Sequence, residues 1–538
     1  MRSIRSLFLI VLSAVLFWAC GGGGPGEFDV QPGEIEAHIR FLSDDLLEGR
    51  SIGSRGLALA ALYQENIFRA LGLEPAFGDS YRQKFELKGS LPDKEASLQV
   101  LAEDEILSFQ NVSDFVITSH REDCPEGVEG EIVYGGFLIQ APERDWDDIK
   151  DADLKGKVLL VEINEPGNRI SGIFEGEDMT YYGRWTYKYE KASELGATGI
   201  IIIHNTKGAS YGWDVVRNSW SGEGFFLPDK ETNLFFQGWV QGDVAEKISS
   251  AAGQDYEALK MKAETKEFHP VPLGLKMRVR QKPSFRSVAT ENVVAMIRGK
   301  HKKSRDRFVI LSAHYDHLGK EEDKEGDCIY NGAVDNCSAS ATMLSLARYY
   351  SQRAEDLKVN LIFAAVTAEE EGLLGSDYFA RHLPVPVSSV LGNLNFEMTN
   401  VWGETRDVYA IGGRHSDLED FAREAAEKLG LAYIPERGGE FGFFFRSDQL
   451  SFARSGIPAV WLHEGIRSRG EDEDLIKRKR DMYQAEKYHK VADEIELDWD
   501  LMGAVQIARW ADQIISLLAE TEELPGFKPK SSFKRKQP

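Results

Sequence analysis

Cysteine is scarce in this chain, with four residues in 538. That is too few to staple a protein of this size, so the fold has to rest on buried apolar surface, not on a disulfide framework. Positive charge is also in deficit: 64 lysines and arginines stand against 87 aspartates and glutamates, a formal net charge of −23. A nucleic-acid-binding surface needs clustered positive charge, and this balance argues against one. The apolar run at 7–19 is too short and wrongly flanked for a membrane span. No internal repeats are visible, which argues against a repeat array. What is present is globular: 42% hydrophobic, 11% aromatic and 28% charged residues, in a chain long enough for two to four domains at about 150 residues each.

Residues 1–20 read MRSIRSLFLIVLSAVLFWAC. Two arginines precede the apolar run, Ala19 stands before Cys20, and GGGGPG comes next. This resembles a bacterial lipoprotein signal, which implies cleavage after residue 19 and acylation of Cys20; an ordinary secretory signal and an uncleaved anchor are the alternatives. The expectation is an exported protein, lipid-anchored to a bacterial membrane and facing the periplasm or the surface. With Cys20 acylated, Cys124, Cys328 and Cys337 remain. Cys328 and Cys337 can pair or stay free thiols; their spacing does not decide.

Beyond a Gly-rich linker at 20–33, the stretch 34–75 shows two helical segments, with Leu57, Leu59, Ala60, Tyr63, Ile67 and Leu71 at helical spacing. From about 95 to 285 the pattern is β-rich, with compact strands KVLLVEI (157–163) and GIIIIHN (199–205) around a helix at 188–197. From about 288 strands and helices alternate: strands at 308–313, 359–366 and 457–462, helices at 338–350, 371–382, 416–429 and 498–518. Alternation of this kind predicts an α/β fold, a sheet covered by helices on both faces. The tail 524–538, with Lys528, Lys530, Lys534, Arg535 and Lys536 among prolines, reads as solvated and disordered.

Three segments carry metal-binding side chains, two of them directly after apolar strands, where open α/β sheets form their sites. SAHYDHLG (312–319) offers His314 as a ligand and Asp316 to accept its second ring N–H. GAVDNCSASATML (332–344) places Asp335 before a helix, as a carboxylate bridging two cations or as a plain N-terminal cap. TAEEEGLLGS (367–376) sets Glu369 beside Glu370, one to bind metal and one to take a proton, or both simply favouring the helix dipole.

In these segments, and in LSDDLLEGRSIGSRG (42–56), the chain resembles the co-catalytic dizinc exopeptidases that include bacterial leucyl-type aminopeptidases and glutamate carboxypeptidase II. The resemblance implies a three-layer α/β/α sandwich around a mostly parallel mixed sheet, and a catalytic domain made of 34–95 and 288–520. It implies two Zn²⁺ per chain held by His314, Asp335, Glu370, Glu397 and a late histidine, with Glu369 as general base. Glu397, in NLNFEMTN (393–400), stands where the family more often has aspartate. Of the late histidines, His463 in WLHEG and His489 in KYHKVADE, the family's Tyr-His context favours His489. It makes Tyr488 the donor to the developing oxyanion. The family's Ser-Asp-His trio is here Ser447, Asp448 and Gln449, which puts substrate contacts in question more than metal binding.

The stretch 96–287 resembles a protease-associated domain, on its GKVLLV strand, its K-A-x-x-x-G-A helix end and the strand ending near Asn205. Trp185, Tyr187, Trp213 and Trp220 in it are groove-lining or core residues. The implied function is removal of N-terminal residues from peptide substrates, with no nucleic-acid partner. On the same scaffold the alternatives are a one-zinc, glutaminyl-cyclase-like acyltransferase and a non-catalytic, receptor-like binding protein.

Overall fold

The computed structural model describes residues 28–167, 174–230, 232–321 and 323–536. The signal segment and Cys20 lie outside the described residues. Among the described residues, no helix is long and apolar enough to cross a membrane.

The α/β expectation holds. Four strands run parallel at the centre of a ten-stranded mixed sheet, in the order Asn360–Val366, Phe308–His314, Val390–Asn395 and Ala459–Glu464. Every residue of these four is buried, which is why they read as continuous apolar runs and not as alternating ones. Antiparallel strands flank them: Ser284–Ile297 and Arg82–Leu91 on one side, Asp407–Ile411 on the other. Helices Pro32–Leu42, Arg55–Ala70, Ala339–Ser351, Leu418–Lys428 and Met502–Glu520 share one large core on one face. Helices Leu374–Arg381 and Gln449–Arg454 pack Phe379, Ala380 and Phe452 on the other.

Between Ser97 and Arg280 the chain builds a second, eight-stranded sheet. Its centre is parallel, Val158–Glu162 beside Gly199–Ile203 beside Phe236–Val240. One strand of this stretch, Gly224–Phe226, leaves it and pairs with Arg82–Leu91 at the edge of the main sheet, tying the two layers together.

One expectation fails. The tail through residue 536 is not a solvated strand of charge. Phe533 is buried against Tyr181, His415, Phe444 and Phe445. The Arg535 guanidinium donates to the carbonyls of Pro525, Val390 and Leu391. Charge composition concealed two anchors, an aromatic plug and a guanidinium satisfying carbonyls. The open question of the thiols is also answered: Cys124, Cys328 and Cys337 are all free.

Candidate metal centre and its pocket

The candidate residues converge at the carboxyl ends of the parallel strands. His314 closes the strand Phe308–His314, and its carbonyl accepts from the Ser340 hydroxyl at 2.9 Å. The next two parallel strands lead into Glu369–Glu370 and Glu397. The glutamates lie in a loop ahead of the helix Leu374–Arg381, so the helix dipole does not account for them.

Asp335 sits in an irregular turn, Ala333–Ser338, before the helix Ala339–Ser351, and its side chain caps nothing. Asp493 holds the turn by accepting the backbone N–H groups of Val334 and Asp335 at 2.9 and 3.1 Å, while the Tyr483 hydroxyl donates to it at 2.9 Å. Gly332, at φ +57°, is required here: a Cβ would stand 2.1 Å from the Asp335 carbonyl oxygen. Buried Arg50, from the opening segment, donates to the carbonyls of Leu42, Tyr315 and Asn331 and so ties that segment to two site loops.

The Asp335 carboxylate faces two ways. One oxygen lies 3.4 Å from His314 Nε2 and the other 3.2 Å from His489 Nε2. On the first side, Glu397 Oε1 is 3.2 Å from His314 Nε2. On the second, Glu370 Oε2 is 3.3 Å from His489 Nε2. Ligand atoms of His314, Asp335 and Glu397 form one group close enough for a single cation, and those of His317, Asp335 and Glu370 form another. All five residues expected as ligands are thus together, and Asp335 belongs to both groups. His463 is elsewhere: it stacks on Tyr409 and meets Arg480, and burial lowers its pKa to about 4.

His317 was missed. Its Nδ1 lies 2.7 Å from Glu370 Oε1, and its buried Nε2 has no partner. The signal was present, a second histidine three residues after His314 in the same strand-end loop. Ser447 also has a different part from the one expected, since its hydroxyl donates to Glu397 Oε2 at 2.7 Å. Asp316 needs correction. Its carboxylate is 3.8 Å from His314 Nδ1, which instead lies 3.2 Å from the Asp316 carbonyl oxygen. The carboxylate accepts the backbone N–H groups of Glu369 and Glu370 at 3.2 and 3.3 Å, so it orders the glutamate loop.

The electrostatics favour added positive charge. Four carboxylates, of Asp335, Glu369, Glu370 and Glu397, crowd a buried space shared with imidazoles. Burial raises the Asp335 pKa, but His314 and His489 outweigh it and hold the carboxyl well below the usual range. His489 rises to about 9, because Glu370 and Asp335 overcome its desolvation. The Glu369 carboxyl, unlike that of Asp335, is held well above the usual carboxylate range, lifted by burial and by Glu397 and Glu370 despite His314. Its carboxylate accepts no hydrogen bond among the described residues, and it lines a cavity of about 470 Å³. An imidazole-and-carboxylate donor set with surplus buried negative charge suits divalent cations. Backbone at the left-handed φ of 55°, 40° and 57° at Ala368, Met398 and His489 marks the same loops, a cost that clusters at functional sites.

Tyr488 stacks on His489, ring centroids 4.0 Å apart, and lines the cavity; burial pushes its phenol up. The far wall comes from the second sheet's side of the molecule, with Arg184, Trp185, Tyr211 and Trp220. Of the four aromatics in question, Trp185 and Trp220 line the cavity and Tyr187 is core. Trp213 packs beside His204 and donates to the Val112 carbonyl.

Residues 292–511 match the sequence profile of Peptidase family M28. The chain is similar to Aminopeptidase YwaD of Bacillus subtilis, 26% identical over 315 residues, 57% of this chain and 53% of that one. A second relative is a probable zinc metalloprotease of Pyricularia oryzae, 36% identical over 110 residues, 20% of this chain and 21% of that one. The chain therefore spans about half or less of the length of these curated relatives. Among solved structures, an aminopeptidase from Aneurinibacillus sp. strain AM-1 superposes with a TM-score of 0.51 at 21% identity, covering 94% of this chain and 98% of that one. At that identity the likeness speaks to the fold.

Proposed function

We propose that this chain, of the M28 peptidase type over residues 292–511, is a dizinc aminopeptidase that releases N-terminal residues from peptides. The observation that carries the reading is the Asp335 carboxylate, with one oxygen toward the His314–Glu397 group and the other toward the His489–Glu370 group. Zinc is favoured by the donor set and by the name of the Pyricularia relative. In this reading His314, Asp335 and Glu397 hold one ion and Asp335, Glu370 and His489 the other, with His317 behind Glu370. When bound, the ions supply Lewis acidity, polarising the scissile carbonyl and lowering the pKa of a water.

The remaining work belongs to the chain. Glu369, poised at the cavity edge with a raised pKa, takes a proton from the attacking water and returns it to the leaving amine. Tyr488 donates a hydrogen bond to the carbonyl oxygen as negative charge develops on it. Ser447 holds Glu397 in place, and Asp316 holds the Glu369–Glu370 loop. The inserted stretch, read as a protease-associated domain, walls the cavity and limits the length of peptide that fits. Anchoring to a bacterial membrane through an acylated Cys20 rests on the N-terminal motif; Cys20→Ser should leave the protein unlipidated by mass spectrometry, and an unchanged mass shift in that variant would overturn the anchor.

The deciding experiment is hydrolysis of aminoacyl amides beside N-blocked peptides with free C-termini, with zinc and after chelation. Zinc-dependent release of free amino acid from the unblocked set is expected, with about two zinc ions per chain by elemental analysis. Cleavage only of blocked peptides, cyclisation with loss of ammonia, or no turnover in zinc-loaded protein would each overturn the reading.

A further inference from the structure

Besides the metal cluster's own residues, four cationic side chains, of Arg184, Lys230, Arg446 and Arg454, line the cavity, and they fall into two kinds. Arg454 donates to Glu190 at 2.6 Å, and Lys230 lies 3.5 Å from Asp377. Those two are spoken for. Arg184 and Arg446 are not: neither has an ion pair among the described residues. Arg446 donates once, to the neutral Ser210 hydroxyl at 2.9 Å, with its guanidinium 5.8 Å from the Tyr211 ring centroid. Arg184 makes no side-chain hydrogen bond there, and lies 5.9 Å from the Trp185 ring. The Nε of each is buried without a partner.

The setting makes this arrangement costly. Burial depresses both guanidiniums, Arg184 to about 10, and the charge of Arg446 adds to the cost at Arg184. Two half-buried guanidiniums without a counterion lose hydration that nothing among the described residues replaces. They come from different parts of the chain. Arg184 stands at the N-terminal end of the helix Trp185–Glu194 of the inserted stretch, and Arg446 ends the turn Phe443–Arg446 of the main domain. Arg446 immediately precedes Ser447, whose hydroxyl holds Glu397, so it stands within one residue of the metal cluster's own supports. A planar guanidinium presents paired N–H donors that match a carboxylate.

We propose that Arg184 and Arg446 form a carboxylate-binding subsite, so that the substrates are short peptides with a carboxylate close to the scissile bond. The proposal rests on the peptidase reading and names its substrate class. The carboxylate has two sources, an acidic side chain or the C-terminus of a di- or tripeptide, and the cavity of about 470 Å³ has room for such a peptide. Within this scheme the wall supplied by the inserted stretch is part of the specificity site. Neutral peptides enter the same space without a partner for the two charges.

The test compares matched pairs on zinc-loaded full-length protein. Leu-Gly against Leu-Gly-amide reads the C-terminal carboxylate. Leu-Asp-amide against Leu-Asn-amide, and Glu-Gly-amide against Gln-Gly-amide, read a side-chain carboxylate in the second and first residue. At least one pair should favour the acid by about tenfold or more in kcat/KM. Arg184→Gln and Arg446→Gln should each shrink that ratio and the double variant should abolish it, while the lysine replacements retain part of it. Reading ratios cancels general damage to turnover, and thermal unfolding reports on folding. Calorimetric binding of the same pairs to the Glu369→Gln protein separates the two levels of inference. Preferential, arginine-dependent binding without hydrolysis by the unsubstituted protein would leave the subsite standing and overturn the peptidase reading. Hydrolysis of every pair without preference, or a preference unchanged by the glutamine variants, would overturn the subsite.

Discussion

Two regions of the molecule that bury several charges treat them differently. In the inserted stretch Lys188 lies fully buried among Asp148, Glu165 and Glu162. Each of these carboxylates is served by donors of its own. Asp148 accepts from the Ile139 N–H and the Trp146 indole at 2.9 and 2.8 Å, and Glu165 accepts from the Thr180 N–H at 2.9 Å and from its hydroxyl. Glu162 accepts from the hydroxyls of Tyr134 and Tyr256 at 2.9 and 3.0 Å. Lys188 itself donates to the Phe137 carbonyl at 2.5 Å. In the main domain the carboxylates face one another across imidazoles, Glu369 accepts no hydrogen bond among the described residues, and both Asp448 oxygens are buried without a partner. A closed network has what it needs inside the chain and serves the fold. An open one holds charge that only something from outside can balance.

The largest effect should come from the open side. Glu369→Gln is expected to cost on the order of 10²–10⁴ in kcat while leaving bound metal unchanged; steady-state kinetics with elemental analysis check it, and normal turnover would remove Glu369 from the role of base. On the closed side Lys188→Met removes the buried ammonium that lies among three buried carboxylates. It should destabilise the protein by about 3 kcal/mol or more in denaturant unfolding, with faster hydrogen exchange in Val158–Glu162 than in Phe308–His314. Chelation should produce the reverse pattern, loosening the loops around 332–338 and 367–373 and sparing the inserted sheet.

Acid should erode both sides alike, and more gently. Burial holds His463 in the main domain at a pKa of about 4 and lowers His204 in the inserted stretch. The unfolded chain therefore binds these protons first, as pH falls below about 6.5, and stability declines until the folded pKa is passed. For His463 the slope is about 1.4 kcal/mol per pH unit between about pH 6.5 and 4. Unfolding midpoints across that range, with His463→Gln flattening the profile, would check it.

Much of this site was legible because its residues lie at the ends of apolar strands. FVILSAH and NLIFAAV are readable as buried strands, and the residues just beyond such a strand are confined to one edge of the sheet. His314 and Glu370 could be nominated on that ground, whereas Glu397 was implied only by the family resemblance. His489 needed the resemblance as well, since no strand leads into it. Partnerships across the chain could not be read: Arg50 reaching residues 315 and 331, Ser447 reaching Glu397, and Asp493 clamping Asp335. Asp316 illustrates the limit, because its position was right and its partner was not. The tail misled for a related reason. Five basic residues suggested solvent, while Phe533 and the Arg535 guanidinium had specific places to dock.

Local pattern and composition were enough to set the alternation of strands and helices, the apolar core and the supply of imidazoles and carboxylates, because each of these is a property of neighbouring residues. Folding in three dimensions was needed for Asp335 to turn one oxygen to each of two histidines, for His317 to back Glu370, and for Arg184 and Arg446 to meet the same cavity with no ion-pair partner among the described residues. Arg184 and Arg446 lie 262 positions apart, 446 less 184, and no local pattern encodes a distance between residues that the chain joins only by folding.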